Sequence, residues 1–154
     1  MTKFTHMKGD RVQMVNISGK EEVAREAVAE GNIRLREGTL RAIREGSIVK
    51  GNVLATARVA AILAVKETPK IIPLCHPIPL SGIEVDFIEG DGFIRATVRV
   101  LSRGLTGVEM EALTGVSVAL LTIWDMVKSA EKDAAGQYPE TGIDGIRVIS
   151  KKKG

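Results

Sequence analysis

Aromatic side chains are scarce: three Phe, one Tyr and one Trp make up 3% of 154 residues. Proteins that read single-stranded nucleic acid stack bases on exposed rings, so this shortage argues against an RNA-binding sheet. A single cysteine, Cys75, excludes an internal disulfide and suits a reducing compartment. One Cys and two His give no zinc-ligand spacing, so no metal site is expected. Neither sign of charge dominates. Lys and Arg number 22 against 19 Asp and Glu, and Lys151-Lys152-Lys153 supply the whole net charge of +3. Basicity therefore points weakly, if at all, to nucleic acid or a membrane surface. No apolar run opens the chain, so no secretory leader is expected. The one long apolar stretch, residues 112–126, is shorter than a bilayer span and charged at both ends. What is present is ordinary for a soluble, cytoplasmic globular protein: 44% hydrophobic and 27% charged residues, in a length that suits one domain.

Residues 1–10 read as a flexible N-terminus, 11–150 as a single catalytic domain, and 151–154 as a basic C-terminal tail. Within the domain, residues 12–17 suit an extended piece, and 21–30 have helical composition stopped by Gly31. Residues 33–36 alternate like a strand. Thr39 is placed to cap a short helix over 40–45, closed by Gly46. Residues 52–66 predict a helix ended by Thr68-Pro69, and Pro73, Pro77 and Pro79 stiffen an extended segment at 71–80. Residues 83–88 and 93–101 alternate on either side of Gly90-Asp91-Gly92, a hairpin pattern. A long helix and a last strand at 143–149 follow. The order predicts an α+β, ferredoxin-like βαββαβ sandwich: an antiparallel sheet with helices on one face. No helix remains to cover the other face. Apolar residues on both sides of the hairpin (Phe87, Phe93, Ile94, Val98) then favour cover by a partner subunit, and so a homo-oligomer.

The long helix carries the chemistry. Glu111, Thr114, Val118, Thr122, Asp125 and Lys128 fall on one stripe at a 3.6-residue period, through a segment apolar on every side. Charged groups on a buried helix are paired, neutralised or used. Thr106-Gly107-Val108-Glu109 fits a capping box, which would make Glu109 structural and leave Glu111 as the better catalytic carboxylate. Asp125 and Lys128 have the spacing of an intrahelical ion pair, but their place at the end of the apolar run predicts partial burial and an acid–base pair working near neutral pH. His76, in the proline-stiffened Leu74-Cys75-His76-Pro77, is held in one orientation and is expected to share a pocket with the helix acids and lysine. Cys75 points away from His76 in an extended segment, so an inert, buried thiol is expected. Lys50, beside Gly51, and Lys20, Arg25, Arg36, Lys66 and Lys70 are candidate phosphate contacts, each with solvated surface as the plainer reading.

These residues sit in longer motifs: Met14-Val15-Asn16-Ile17-Ser18, Lys50-Gly51-Asn52-Val53-Leu54-Ala55-Thr56-Ala57-Arg58, Leu74-Cys75-His76-Pro77, Gly107-Val108-Glu109-Met110-Glu111-Ala112-Leu113-Thr114 and Leu121-Thr122-Ile123-Trp124-Asp125-Met126-Val127-Lys128. Together, over residues 14–149, they resemble the cyclic pyranopterin monophosphate synthases of molybdenum cofactor biosynthesis. The resemblance implies a ferredoxin-like subunit and a hexamer built as a trimer of dimers, with active sites between subunits. It implies that 3′,8-cyclo-7,8-dihydroguanosine 5′-triphosphate is rearranged to the cyclic pyranopterin with loss of pyrophosphate. It places the catalytic aspartate on Asp125, its companion lysine on Lys128, a second lysine on Lys50, the histidine on His76 and two acids on Glu109 and Glu111. It places substrate contacts on Leu74, Cys75 and His76 and on Met110 and Glu111. No resident cofactor is implied; magnesium would arrive with the triphosphate. Asn16 and Asn52 stand where the family commonly has aspartate, Leu105 where it commonly has lysine, and the tail lacks Gly-Gly-Lys-Ser-Gly.

Overall fold

The structure, a computed structural model, describes residues 7–154, so most of the expected N-terminal lead-in lies outside the described residues. Met7–Lys8 (β1) and Arg11–Val12 (β2) pair as a short antiparallel ribbon. Of the extended piece expected over residues 12–17, only Val12 is in a strand. There follow Val23–Arg34 (β3), Glu37–Glu45 (α1), Val53–Lys66 (α2), Thr68–Ile71 (α3), Leu80–Gly90 (β4), Phe93–Gly104 (β5), Glu109–Glu131 (α4) and Gly142–Lys153 (β6). The main sheet runs β4-β5-β3-β6 with every neighbour antiparallel, and α2 and α4 cover one face. This is the ferredoxin-like βαββαβ order.

The largest correction concerns β3, where a helix was expected over residues 21–30. It is the central strand, bonded to β5 on one edge and β6 on the other. Helix propensities differ by less than about 1 kcal/mol per ordinary residue, so ladders on both edges outweigh them. Its Ala and Gly serve close packing instead. Ala27, Ala29 and Gly31 face α4, and a Cβ on Gly31 would lie 2.8 Å from Val116. Gly115 does the same from α4: a Cβ there would meet Val65 of α2 at 2.7 Å and Val98 of β5 at 3.1 Å. At these two glycines, side chains of one element therefore rest directly on the backbone of the next. Among the described residues α4 alone is long and apolar enough to cross a membrane, yet 56% of its apolar window is buried, as in a core helix.

The hairpin forms as expected, with Gly90 opposite Phe93 and Gly92 at φ 79° in a two-residue turn. Asn52 caps α2, its Oδ1 accepting from Ala55 N at 3.0 Å. α2 ends at Lys66, and Pro69 fits the first turn of α3. Gly46 closes α1 at φ 70°, but Thr39 is not its cap. The helix begins two residues earlier, and the Thr39 hydroxyl donates to Glu131. Glu131 is fully buried at the end of α4 and also accepts from Thr141 Oγ1 at 2.7 Å and from Arg36 N at 3.2 Å. One carboxylate thus ties α4, α1 and the start of β6 together.

The helix-free face of the sheet is charged rather than apolar. Ile94 and Val98 turn inward, while Glu26 pairs with Arg99 at 2.9 Å and Glu30 with Arg147 at 2.7 Å across the open strands. That face therefore offers a partner paired charges rather than the apolar surface expected from Ile94 and Val98. Lys151, Lys152 and Lys153 are also no loose tail: they extend β6, opposite Ala27, Glu26 and Arg25.

A candidate active site divided between the ends of one helix

At the N-terminal end of α4, a pocket of about 430 Å³ lies between the helix, the loop at 72–79 and the segment preceding β3. Leu74, Cys75, His76, Glu109, Met110 and Glu111 all line it, with Lys20 and Thr106 at its edges. Every expected substrate contact is therefore in one place. The segment expected to be extended from 71 begins otherwise: Ile71 ends α3, and Cys75 N donates to Ile72 O at 3.1 Å across a turn at Pro73-Leu74, so only the stretch with Pro77 and Pro79 runs without a turn to β4. Glu111 is buried, 3% exposed. Burial pushes its carboxyl above the usual range and the nearby Glu109 adds to this, while its own backbone N–H pulls the other way. The Cys75 thiol is likewise pushed up by burial and by Glu111, which agrees with an unreactive thiol.

The capping box expected of Glu109 does not form. α4 starts at Glu109 itself, Val108 is the cap residue, and no side chain caps it. A capping-box glutamate stands three residues into the helix, so Glu109 is in the wrong place for one. Its carboxylate instead folds over Gly107, where a methyl group would overlap it, and sits 2.9 Å from Lys151 Nζ. That contact is an ion pair without hydrogen-bond alignment, since Oε1 has no hydrogen-bond donor. Lys151 was missed in the sequence. The alternation of β6 continuing through 151 was the available signal: Lys151 pairs with inward-facing Ala27 and so points toward α4.

The other residues gather at the C-terminal end. Lys50 Nζ donates to Asp125 Oδ2 at 3.1 Å and to Asp125 O at 2.9 Å, and Lys128 Nζ donates to Oδ1 at 2.9 Å. Partial burial was expected, but the Asp125, Lys50 and Lys128 side chains are 60%, 46% and 44% exposed. Lys128 and then Lys50 hold the Asp125 carboxyl below the usual range, and Asp125 raises Lys128. In one chain this is a solvated ion cluster around Asp125, not a buried acid–base pair, because exposure removes the desolvation that would disfavour charge.

Of the groups expected to share a pocket with His76, Glu109 and Glu111 do so, while Asp125 and Lys128 lie elsewhere within one chain. Glu111 and Asp125 are 14 residues apart, roughly 21 Å along the helix axis. Of the phosphate candidates, Lys20 lines the N-terminal pocket. Arg25 is buried, its Nε donating to Gly104 O at 3.0 Å. Arg36 lies 2.8 Å from Glu140, and Lys70 lies 2.6 Å from Glu67, so neither faces the pocket. Among the described residues, no group of three or more His, Cys, Asp or Glu converges as a metal site.

A ferredoxin-like subunit with a buried, elevated carboxyl at one end of its core helix and a Lys–Asp–Lys triad at the other has the parts of an acid–base enzyme. Comparison with known proteins agrees. Residues 14–154 match the model of the MoaC family. The chain is 72% identical, over all of its length and 99% of the relative, to the "Probable cyclic pyranopterin monophosphate synthase" of Methanoregula boonei. It is 67% identical to the protein of the same name from Methanosphaerula palustris, over the whole of both chains. The protein of that name from Pyrococcus abyssi is 59% identical, over 98% of this chain and 95% of the relative. The chain belongs to the MoaC family.

Proposed function

We propose that this protein is a cyclic pyranopterin monophosphate synthase. It converts 3′,8-cyclo-7,8-dihydroguanosine 5′-triphosphate to the cyclic pyranopterin monophosphate, with release of pyrophosphate, in cytoplasmic molybdenum cofactor biosynthesis. The observation that carries this reading is Glu111: a buried carboxyl with a raised pKa that lines, together with His76, a pocket of about 430 Å³. The rearrangement opens a guanine-derived ring, closes a pyrazine ring and forms a cyclic phosphate, and each stage moves protons. Glu111 serves as a base. Lys128, held protonated by Asp125, and Lys50 donate protons to leaving nitrogens and neutralise the departing pyrophosphate. There is no resident cofactor; magnesium arrives with the triphosphate.

Complete sites form between subunits of a hexamer arranged as a trimer of dimers. Two features support this. The triad and the pocket each lack what the other holds, and they are too far apart to act together in one chain. The outer face of the helix layer also exposes Val59, Leu63 and Leu121, apolar side chains that suit contact with a second copy. The test is incubation of purified protein with the cyclised GTP derivative. Stoichiometric pyrophosphate and pterin product are expected, and an intact substrate with folded, hexameric protein would refute the reading.

A further inference from the structure

Glu111 has two faces. The front lines the large pocket; the back borders a second cavity of about 80 Å³, closed by Pro69, Pro77, Ile78 and Leu80 and reaching Lys66 at the end of α2. Glu111 and Ile78 line both spaces, so Glu111 stands between them. The back cavity has room for several water molecules, and its polar lining is the carboxyl and the lysine, enough to hold them. Lys66 is exposed, so the cavity communicates with bulk solvent. It forms no direct ion pair with Glu111, and the space between them is the cavity itself.

A carboxyl that takes a proton from substrate must lose it again before the next turnover. With a nucleotide filling the front pocket, Glu111 is cut off from solvent on that side. We propose that the cavity behind Glu111 is the route by which it exchanges protons with solvent while substrate is bound, with the Lys66 ammonium at the mouth favouring the ionised carboxylate. The proton taken from substrate passes along the cavity waters to bulk solvent, and the carboxylate is restored with no other reactant. The inference rests on the reading of Glu111 as a base. The other charged or titratable groups around Glu111 are Glu109 on its own helix, Cys75 and His76 on the loop, Lys20 across the pocket, and Lys151 of β6 through Glu109. None of them lines the back cavity.

The test is kcat and KM against pH for wild type, Lys66→Met and Lys66→Arg, with Glu111→Gln as reference. Lys66→Met keeps the aliphatic stem and removes the charge. The acid limb of kcat should move up by about half a pH unit, with KM changed less than about twofold above the limb. Lys66→Arg should return the limb to its wild-type position, which a loss of packing could not explain. An unmoved limb together with a KM raised at every pH would make Lys66 a phosphate contact and overturn the proposal. An unmoved limb with a wild-type KM overturns it equally. A Glu111→Gln enzyme that turns over normally would instead remove the base reading beneath it, and the two failures are told apart by that reference variant.

Discussion

At the N-terminal end of α4 a carboxylate is taken out of water, 3% exposed, with its ionisation suppressed. At the C-terminal end another stands between two ammonium groups, 60% exposed, with its ionisation reinforced. Both lie on one helical stripe, and the difference is in their surroundings. α2 runs antiparallel to α4, placing Val65 and Lys66 beside the first end and the Lys50 loop beside the second. The proline-rich loop lies over the first end, while among the described residues the second stays open to solvent. A carboxyl with suppressed ionisation suits proton transfer, and a fixed cluster of charge suits binding and neutralising a polyanion. One helix thus holds two chemically opposite half-sites, and in the proposed assembly a second copy supplies to each what it lacks.

The sharpest way to break the comparison is at the charged end. Lys128→Ala should lower turnover about a thousandfold or more while light scattering still reports the hexamer. Near wild-type turnover would reduce the triad to a surface ion pair. At the buried end, Glu111→Gln should lower the single-turnover rate about a hundredfold. It should also raise the melting temperature at neutral pH. The sign follows from the raised folded pKa: for a carboxyl, that stabilises the protein below the unfolded pKa and is lost as pH rises through the folded one. Glutamine, uncharged throughout, avoids that loss, so the advantage of the variant should fade on acidification. Asp125 has the opposite sign, its depressed pKa giving stability that disappears as pH falls through the folded value.

Two smaller effects separate chemistry from architecture. Glu131→Gln replaces a buried acceptor of three donors, and should cost about 2 kcal/mol in urea unfolding. Glu109→Gln loses its ion pair to a half-exposed Lys151, so stability should change by less than about 1 kcal/mol. Activity should fall only several-fold, measured as kcat/KM. A Glu109 variant that is dead but stable, beside a normal Glu111 variant, would reverse the two roles.

Much of this was legible in the sequence where a local rule and the tertiary fold agree. The hairpin was, because period-2 alternation and an Asp91-Gly92 turn point the same way. The αL closure at Gly46 was, for the same reason, whereas Asn52, expected inside α2, caps it instead. β3 was not, because Ala and Glu read as helix formers while their actual use, a thin central strand beneath α4, depends on residues far along the chain. The residues expected to touch substrate do line one pocket, and Lys50, Asp125 and Lys128 meet in one cluster. Their distribution was missed because helical spacing fixes the face a side chain occupies, not which distant loop meets it. Thus the stripe placed Glu111 and Asp125 together, and the 14 residues between them place them roughly 21 Å apart. Lys151 was hidden because a run of lysines at a terminus reads as solvated, although alternation along β6 turns it inward.

The central claim, that the two half-sites come from different subunits, is tested most directly by co-expressing Glu111→Gln and Lys128→Ala chains and assaying the mixed hexamers. Each variant alone is expected to be inactive. If every site takes its carboxyl from one chain and its lysine from the neighbour, random pairing restores about a quarter of the sites. Activity should therefore recover to about a quarter of wild type. Mixed hexamers as inactive as either parent, with both chains present in one assembly, would contradict the account.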